Sequence, residues 1–211
     1  MKFELFLNKI HQAAAINLPG IVAHLKMAPP EREMMMQNIN FEQFNPKIAS
    51  VMMLFYPKNN ETYLALIKRN SYGVHSSQIA FPGGKYELQD IDNQQTALRE
   101  TEEEIGILAT LIEVICAFTE IYVPPSNFMV YPFLGIAKNE LHFTIQEDEV
   151  AGIIEMPLED LLNDKNLVTA KIDTSYAKFV DVPAFQFDNQ IVWGATAMII
   201  SELKDVLKMV F

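Results

Sequence analysis

Hydrophobic positions along this 211-residue chain recur with two different spacings, and the spacing changes several times between the two ends. Runs rich in β-branched and aromatic residues are typical of β-strands, whereas apolar residues three and four positions apart are typical of an amphipathic helix. The first pattern predicts strands at 48–56, 62–68, 112–119, 128–137, 149–156, 179–182 and 185–187. The second predicts helices at 2–14, 93–106 and 190–210, with a further short helix after Pro157.

Local signals define the ends of the central helix. Asp92 is of a residue type that caps helix N-termini, and Gln95 stands three positions later, as in a capping box. Gly106 suits the C-terminal end, and the Pro-Gly-Gly run at 82–84 predicts an interruption of regular structure. Strands on both sides of this helix, with another helix at the end, predict an α/β fold with a mixed β-sheet between helical layers.

The N-terminal part of the chain is broken by Pro-Gly at 19–20 and by Pro-Pro at 29–30. We therefore interpret residues 1–46 as an extension packed on a main domain at 47–211. The apolar members of its first helix are Phe3, Leu5, Phe6 and Ile10.

The formal net charge of −11 disfavours nucleic acid and anionic membranes as partners. Polar residues interrupt the N-terminal apolar stretch, so we expect no secretory leader, and the apolar run at 191–200 is about half a membrane span. A single cysteine, Cys116, excludes an intramolecular disulfide, and its apolar surroundings predict a core position. These observations predict a cytoplasmic protein.

The central helix carries an unusual concentration of acids. At 100° per residue, Glu100, Glu103 and Glu104 fall within an arc of about 100°. Such clustered carboxylates suit hard cations such as Mg²⁺ or Mn²⁺, although a solvated acidic face is the alternative interpretation. Glu102 points elsewhere, and the opposite side of the helix carries Leu98, Thr101 and Ile105.

The stretch GGKYELQDIDNQQTALRETEEEIGI resembles the sequence box of the Nudix hydrolases, which cleave nucleoside diphosphates linked to another group. The matching positions lie within 84–107 and are Arg99, Glu100, Glu103, Glu104 and Gly106. The earlier glutamate of the family is absent; Asp90 follows Gly84 with five residues between them. This resemblance implies the Nudix α/β/α sandwich.

The departure from the general spacing is itself similar to one branch, the bacterial coenzyme A diphosphatases. That branch has an upstream signature to which HSSQIAFPGG is similar, although Ser77 replaces the usual glycine. The resemblance implies hydrolysis of coenzyme A to 4′-phosphopantetheine and adenosine 3′,5′-bisphosphate.

The resemblance also implies roles for single residues. Glu100 and Glu104 are expected to be metal ligands, and Glu103 either a third ligand or the base that activates water. The Gly84 carbonyl is expected to complete the coordination, and Arg99 to orient a glutamate through a bidentate pair. Glu149 stands where relatives have another acid near the metals, and a solvated strand entry is its alternative.

Substrate contacts are predicted around the same segment. Lys68, Arg69 and Lys85 are expected to neutralise phosphates, and the backbone of Gly83 and Gly84 to approach a ligand closely. His75 is a candidate proton shuttle, with a backbone hydrogen-bonding role as the alternative.

Four further residues are less strongly indicated as parts of the site. Glu120 is a lesser candidate acid, and Asp90 is expected to cap the turn before the helix. Trp193 and Phe187 are expected to be core residues rather than a platform for a base.

The predicted activity is therefore metal-dependent hydrolysis of a small-molecule diphosphate, with Mg²⁺ or Mn²⁺ as cofactor. Coenzyme A is the preferred substrate, and ADP-ribose or NADH is the alternative. A non-catalytic nucleotide-sensing module and a purely structural acidic helix are further alternatives. The resemblance also implies a possible homodimer.

Overall fold

The computed structural model describes residues 1–30, 32, 44–70, 78–173 and 178–211. Its α-helices are α1 (Phe3–Ile10), α2 (Ile21–Leu25), α3 (Asn93–Ile105), α4 (Leu158–Leu162) and α5 (Gly194–Val210). Its strands are β1 (Lys47–Lys58), β2 (Glu61–Arg69), β3 (Ile79–Ala80), β4 (Gly83–Lys85), β5 (Ile112–Ala117), β6 (Ile121–Val123), β7 (Phe128–Ala137), β8 (Val150–Pro157), β9 (Leu167–Ile172), β10 (Val180–Phe187) and β11 (Gln190–Trp193).

The larger sheet is mixed. Its strands follow the order β3-β2-β1-β7-β5, with β4 on β1, β6 on β7 and β8 on β2. The long central strand β1 runs parallel to β7 and antiparallel to β2 and β4. A separate three-stranded sheet has the order β11-β10-β9.

Helices cover both faces of the larger sheet. Successive side chains of a strand point to opposite faces, and β1 shows this directly. Met52 and Leu54 pack with apolar residues of α3, whereas Met53 and Phe55 pack with α1 and α5. Both faces of β1 are therefore buried, and the predicted α/β/α sandwich with a mixed sheet is confirmed.

Helix α1 buries one side in the same core cluster as α5. Of its four apolar members, Phe3, Phe6 and Ile10 are buried, whereas Leu5 is 61% exposed. Leu5 lies about 200° from Phe3 around the helix axis, which directs it away from the sheet. Among the described residues, no helix has both the length and the apolar character needed to cross a bilayer.

The ends of α3 follow the local sequence signals. The Asp92 side chain accepts a hydrogen bond from the Gln95 backbone N–H at 2.8 Å, and Gly106 closes the helix with a φ of 72°. The Gln95 side chain accepts from the backbone N–H of Ile91 rather than of Asp92. The predicted N-cap and C-terminal glycine are confirmed, while the reciprocal bond of the capping box is displaced by one residue.

The C-terminal part differs from its prediction. Strands predicted at 179–182 and 185–187 form the single strand β10, and residues 190–193 form β11 instead of the first turn of the last helix. Asp188 and Asn189 both have positive φ, of 43° and 58°, which makes a tight hairpin turn between these strands. Strand β9 was not predicted.

The diglycine segment was also predicted wrongly as an interruption. Gly83 and Gly84 belong to β4 and pair with Val51 and Ser50 of β1. A Cβ added at Gly83 would lie 2.3 Å from the Ser50 carbonyl oxygen, so only glycine allows the two backbones to approach this closely. This strand brings the backbone of residues 83–85 against α3.

Candidate functional site

The three acids of α3 have different environments, although the sequence predicted that one face presents them together. Glu104 is only 2% exposed, and its Oε2 accepts a hydrogen bond from the Gly83 N–H at 2.8 Å. The Glu100 carboxylate lies over Gly84, where an added Cβ would be 2.3 Å from Glu100 Oε2. The Glu103 side chain is 58% exposed. Glu104 is buried because α3 packs its inner side directly against β4.

Arg99 connects most of the charged groups of this region. Its Nε and Nη2 atoms donate to Asp90 Oδ1 and Oδ2 at 2.9 and 3.0 Å, so its bidentate partner is Asp90 rather than a glutamate. Its Nη1 atom donates to Glu100 Oε1 and Glu103 Oε2, each at 3.0 Å, and Nη2 also donates to the Lys85 carbonyl. One guanidinium therefore holds α3, β4 and the loop between them.

Asp90 is a buried carboxylate with several donors. It accepts from the Glu87 N–H and the Thr96 hydroxyl, each at 2.9 Å, in addition to Arg99. The Arg99 guanidinium holds the pKa of Asp90 well below its usual range, although burial acts in the opposite direction. The predicted turn cap is confirmed, whereas the anchoring of Arg99 by the same carboxylate was not predicted.

In contrast to Asp90, the acids Glu100 and Glu104 of α3 have a raised pKa. Burial raises the pKa of Glu104 to about 7, although the Gly83 N–H and the charge of Arg69 favour the charged form. Burial also raises the pKa of Glu100, with Arg99 opposing the shift, and the charge of Glu149 adds to both effects. These carboxylates are therefore close enough to repel one another.

A cavity of about 740 Å³ adjoins these acids. It brings together eight of the predicted site residues: Arg69, Gly83, Gly84, Lys85, Glu100, Glu103, Glu104 and Glu149. The Nη1 atom of Arg69 lies 3.9 Å from Glu104 Oε1.

Other predicted residues lie elsewhere. Lys68 is exposed and does not line the cavity. Glu120 is exposed and also lies away from the cavity. His75 lies outside the described residues. Glu102 is exposed as predicted, and its carboxylate accepts a hydrogen bond from the Ala109 N–H at 3.1 Å.

The part of the cavity that Trp193 lines was not predicted from the sequence. Trp193 is half-buried and lines it, so the expectation of a core position was wrong, whereas Phe187 is buried in the core as expected. In the sequence, a tryptophan at the end of a strand looks the same whether it faces a cavity or a core.

Cys116 is half-buried against the same core, and burial raises the pKa of its thiol to about 11.

The donor set fits a hard divalent cation. Within the described parts of the chain, no three His, Cys, Asp or Glu side chains already surround one point as a finished cage. The acids instead satisfy their oxygens with Gly83 and Arg99. Carboxylates that are buried, mutually repelling and of raised pKa are stabilised by a cation, and oxygen donors suit Mg²⁺ or Mn²⁺.

Sequences similar to this chain include Nudix hydrolases from a plant and from a bacterium. The chain is 34% identical over 166 residues to "Nudix hydrolase 22, chloroplastic" of Arabidopsis thaliana, covering 75% of this chain and 54% of that protein. It thus spans about half the length of this plant relative. It is 32% identical over 159 residues to "Uncharacterized Nudix hydrolase NudL" of Yersinia enterocolitica, covering 75% of this chain and 80% of that protein.

Solved structures share the fold. A Nudix hydrolase from M. smegmatis, RenU, superposes with a TM-score of 0.55 at 13% identity, covering 79% of this chain and 88% of that one. The NUDIX domain of Shewanella oneidensis NrtR, complexed with ADP ribose, gives 0.50 at 17% identity, covering 83% and 97%.

The NUDIX domain family itself matches residues 46–179, which is more than half of the chain and includes α3, the diglycine strand and Arg99. This chain therefore belongs to the Nudix family.

Proposed function

We propose that this chain is a metal-dependent diphosphatase that cleaves coenzyme A, or a derivative of it, into 4′-phosphopantetheine and adenosine 3′,5′-bisphosphate. The observation that carries the proposal is the common cavity of Glu100, Glu103, Glu104 and Glu149 beside the diglycine strand. A bound Mg²⁺ or Mn²⁺ ion would hold diphosphate oxygens and lower the pKa of a water molecule. Glu100 and Glu104, with Glu103 and the Gly84 carbonyl, would hold that ion.

Several contacts prepare these residues. The Gly83 N–H fixes one oxygen of Glu104 and leaves Oε1 towards the cavity side, 3.9 Å from Arg69. Arg99 orients Glu100 and Glu103 through hydrogen bonds from its Nη1 atom. Because these groups are ordered by hydrogen bonds before any ligand arrives, little reorganisation is required of them during the reaction.

The chain also supplies candidates for the proton and for the phosphate charge. Glu103 and Glu149 both line the cavity and are exposed, so either can accept a proton from the attacking water. Arg69 and Lys85 line the same region and can offset the negative charge of the phosphates. The attack itself would proceed in line on one phosphorus, without a covalent enzyme intermediate.

The choice of coenzyme A rests on the resemblance of HSSQIAFPGG to the coenzyme A diphosphatases, and the variant spacing between Asp90 and Arg99 supports it. ADP-ribose is the second candidate, because the NrtR domain that shares this fold was solved with that ligand.

The direct test is to incubate the protein with coenzyme A and Mg²⁺ in ¹⁸O-labelled water and to identify the products by mass. We expect label in one of the two phosphate products, and a loss of roughly 100-fold in rate for Glu104→Gln. Glu102→Gln is the matched control on the same helix, and it should retain the wild-type rate. Faster turnover of ADP-ribose than of coenzyme A would overturn the substrate assignment.

A further inference from the structure

The cavity has two chemically different parts. One part contains the acids of α3 and the diglycine strand. The other part is an apolar wall, which we define as Val123, Pro124, Phe128, Val130, Trp193 and Ile199. A substrate that reaches from one part to the other must therefore have an ionic section and a non-polar section.

Strand register gives the separation of the two parts. Lys85 of β4 pairs with Ala49 of β1, and Ala49 pairs with Val130 of β7. At about 4.8 Å between neighbouring strands, Val130 is about 10 Å from the diglycine strand. Val123 of β6 pairs with Phe128 and lies one strand further away. Val130 and Val123 are thus too distant to contact a diphosphate held at the acids.

Trp193 closes this wall from the opposite side. It is the last residue of β11 and is followed by Gly194, whose φ of 64° turns the chain sharply into α5. A Cβ added at Gly194 would meet no heavy atom within 4 Å apart from its chain neighbours, so the space beside this glycine is open. Strand β11 also lies against β3, and Ile79 of β3 and the following Phe81 line the same cavity as Trp193.

Composition favours a non-polar occupant for this wall. Arg69 lies beside Glu104 and Lys85 follows the diglycine, so these two cations are at the acidic part. Arg32 also lines the cavity, where it is buried and donates to the Tyr122 carbonyl, and Lys47 Nζ lies 5.8 Å from the centre of the Phe128 ring. The six wall side chains carry only one polar atom, the indole nitrogen, so they suit a non-polar chain better than the additional phosphate of coenzyme A.

We propose that the apolar wall binds the uncharged, largely aliphatic pantetheine arm, and that Trp193 discriminates this arm from a polar ribose. The proposal rests on the proposed function, because it assigns one half of that substrate to one part of the same cavity. An indole with aliphatic neighbours offers a large contact area to an aliphatic chain.

Trp193 is the only tryptophan of the chain, so its emission reports directly on the apolar wall. We would titrate the protein, without added metal, with 4′-phosphopantetheine and separately with adenosine 3′,5′-bisphosphate. A saturable change in Trp193 emission is expected with 4′-phosphopantetheine and not with the nucleotide. A change with the nucleotide alone, or no change with either compound, would overturn the proposal.

Two variants keep Trp193 and test the neighbouring surface. Phe128→Ala should weaken the binding of 4′-phosphopantetheine, because Phe128 lines the same wall. Phe179→Ala removes an exposed aromatic ring outside the cavity lining and should leave the titration unchanged. Equal effects of the two variants would contradict the assignment.

Kinetics separates this proposal from the proposed function. Trp193→Ala should raise KM for coenzyme A about tenfold with little change in kcat, and should leave KM for ADP-ribose unchanged. An equal rise for both substrates would assign the wall to the shared adenosine half and overturn the proposal. Binding of 4′-phosphopantetheine by a protein that does not cleave coenzyme A would support the wall and contradict the proposed function.

Discussion

Arg99 and Asp90 form a two-point salt bridge at 2.9 and 3.0 Å, in which the carboxylate is almost completely buried. The same guanidinium uses its third nitrogen for Glu100 and Glu103. Asp90 therefore fixes the position of the cation that orients two of the candidate metal ligands, although Asp90 itself lies outside the cavity lining.

We predict that Asp90→Asn destabilises the protein by about 3 kcal/mol, because it leaves the Arg99 charge without its buried partner. Urea unfolding measures this loss. Asp92→Asn is the matched control two residues away, and it should cost only a few tenths of a kcal/mol since asparagine is also a good N-cap. Similar losses for the two variants would show that the salt bridge has no special role.

The two glycines of β4 should respond differently to alanine. A Cβ at Gly83 would meet the backbone of β1, so Gly83→Ala should destabilise the fold by about 1–3 kcal/mol. A Cβ at Gly84 would meet only the end of the Glu100 side chain, so Gly84→Ala should retain most stability and lose activity.

Gly152→Ala is the control for both changes, because a Cβ there meets no heavy atom within 4 Å. Thermal unfolding and the hydrolysis rate separate the three variants. A fully active Gly84→Ala protein would contradict the importance of the position of Glu100.

How much the sequence predicts depends on how local the determining contacts are. The ends of α3 were predicted because Asp92, Gln95 and Gly106 act on backbone within a few residues. The strand at Gly83–Lys85 was missed because its partner, β1, is more than 30 residues away and its glycines are poor strand formers.

In the site, too, features set by local sequence were predicted and features set by distant contacts were not. The acids of α3 were identified from helical spacing, but helical spacing does not reveal that β4 covers Glu104 or that Asp90 holds Arg99. Trp193 was assigned to the core because an apolar residue beside a helix has the same pattern whether a cavity or a core faces it. Only tertiary packing decides between these positions.

A buried acid on α5 predicts a pH dependence of stability. Glu202 accepts hydrogen bonds from the Gly20 N–H and the Thr119 hydroxyl at 2.8 and 2.6 Å, and His24 Nε2 lies 3.3 Å away. Burial alone would raise the pKa of Glu202, but these partners outweigh it and lower the pKa below its ordinary 4.5. The resulting stabilisation is present above 4.5 and is lost as the pH falls through the lowered value.

We therefore predict that Glu202→Gln costs about 1–3 kcal/mol at neutral pH, because its buried partners lose a charged acceptor. The difference from wild type should shrink below pH 4.5, where a protonated Glu202 resembles glutamine. Urea unfolding across this range measures it, with Glu4→Gln at an exposed position of α1 as control. A difference that stays constant with pH would contradict the account.

Divalent cations should stabilise the folded protein. A metal at one hundred times its dissociation constant adds about 2.7 kcal/mol to the free energy of unfolding if it binds only the folded state. We predict that Mg²⁺ raises Tm of the wild type and of Glu102→Gln, and has little effect on Glu104→Gln. An equal rise in all three proteins would indicate non-specific binding.

The central claim is that the carboxylates of Glu100 and Glu104 hold a divalent ion beside the diglycine strand, and anomalous diffraction from crystals soaked in Mn²⁺ tests it most directly. The account predicts an anomalous peak at bonding distance from both carboxylates, and no such peak in crystals of Glu104→Gln. A wild-type crystal with manganese bound elsewhere and no peak between these two side chains would contradict it.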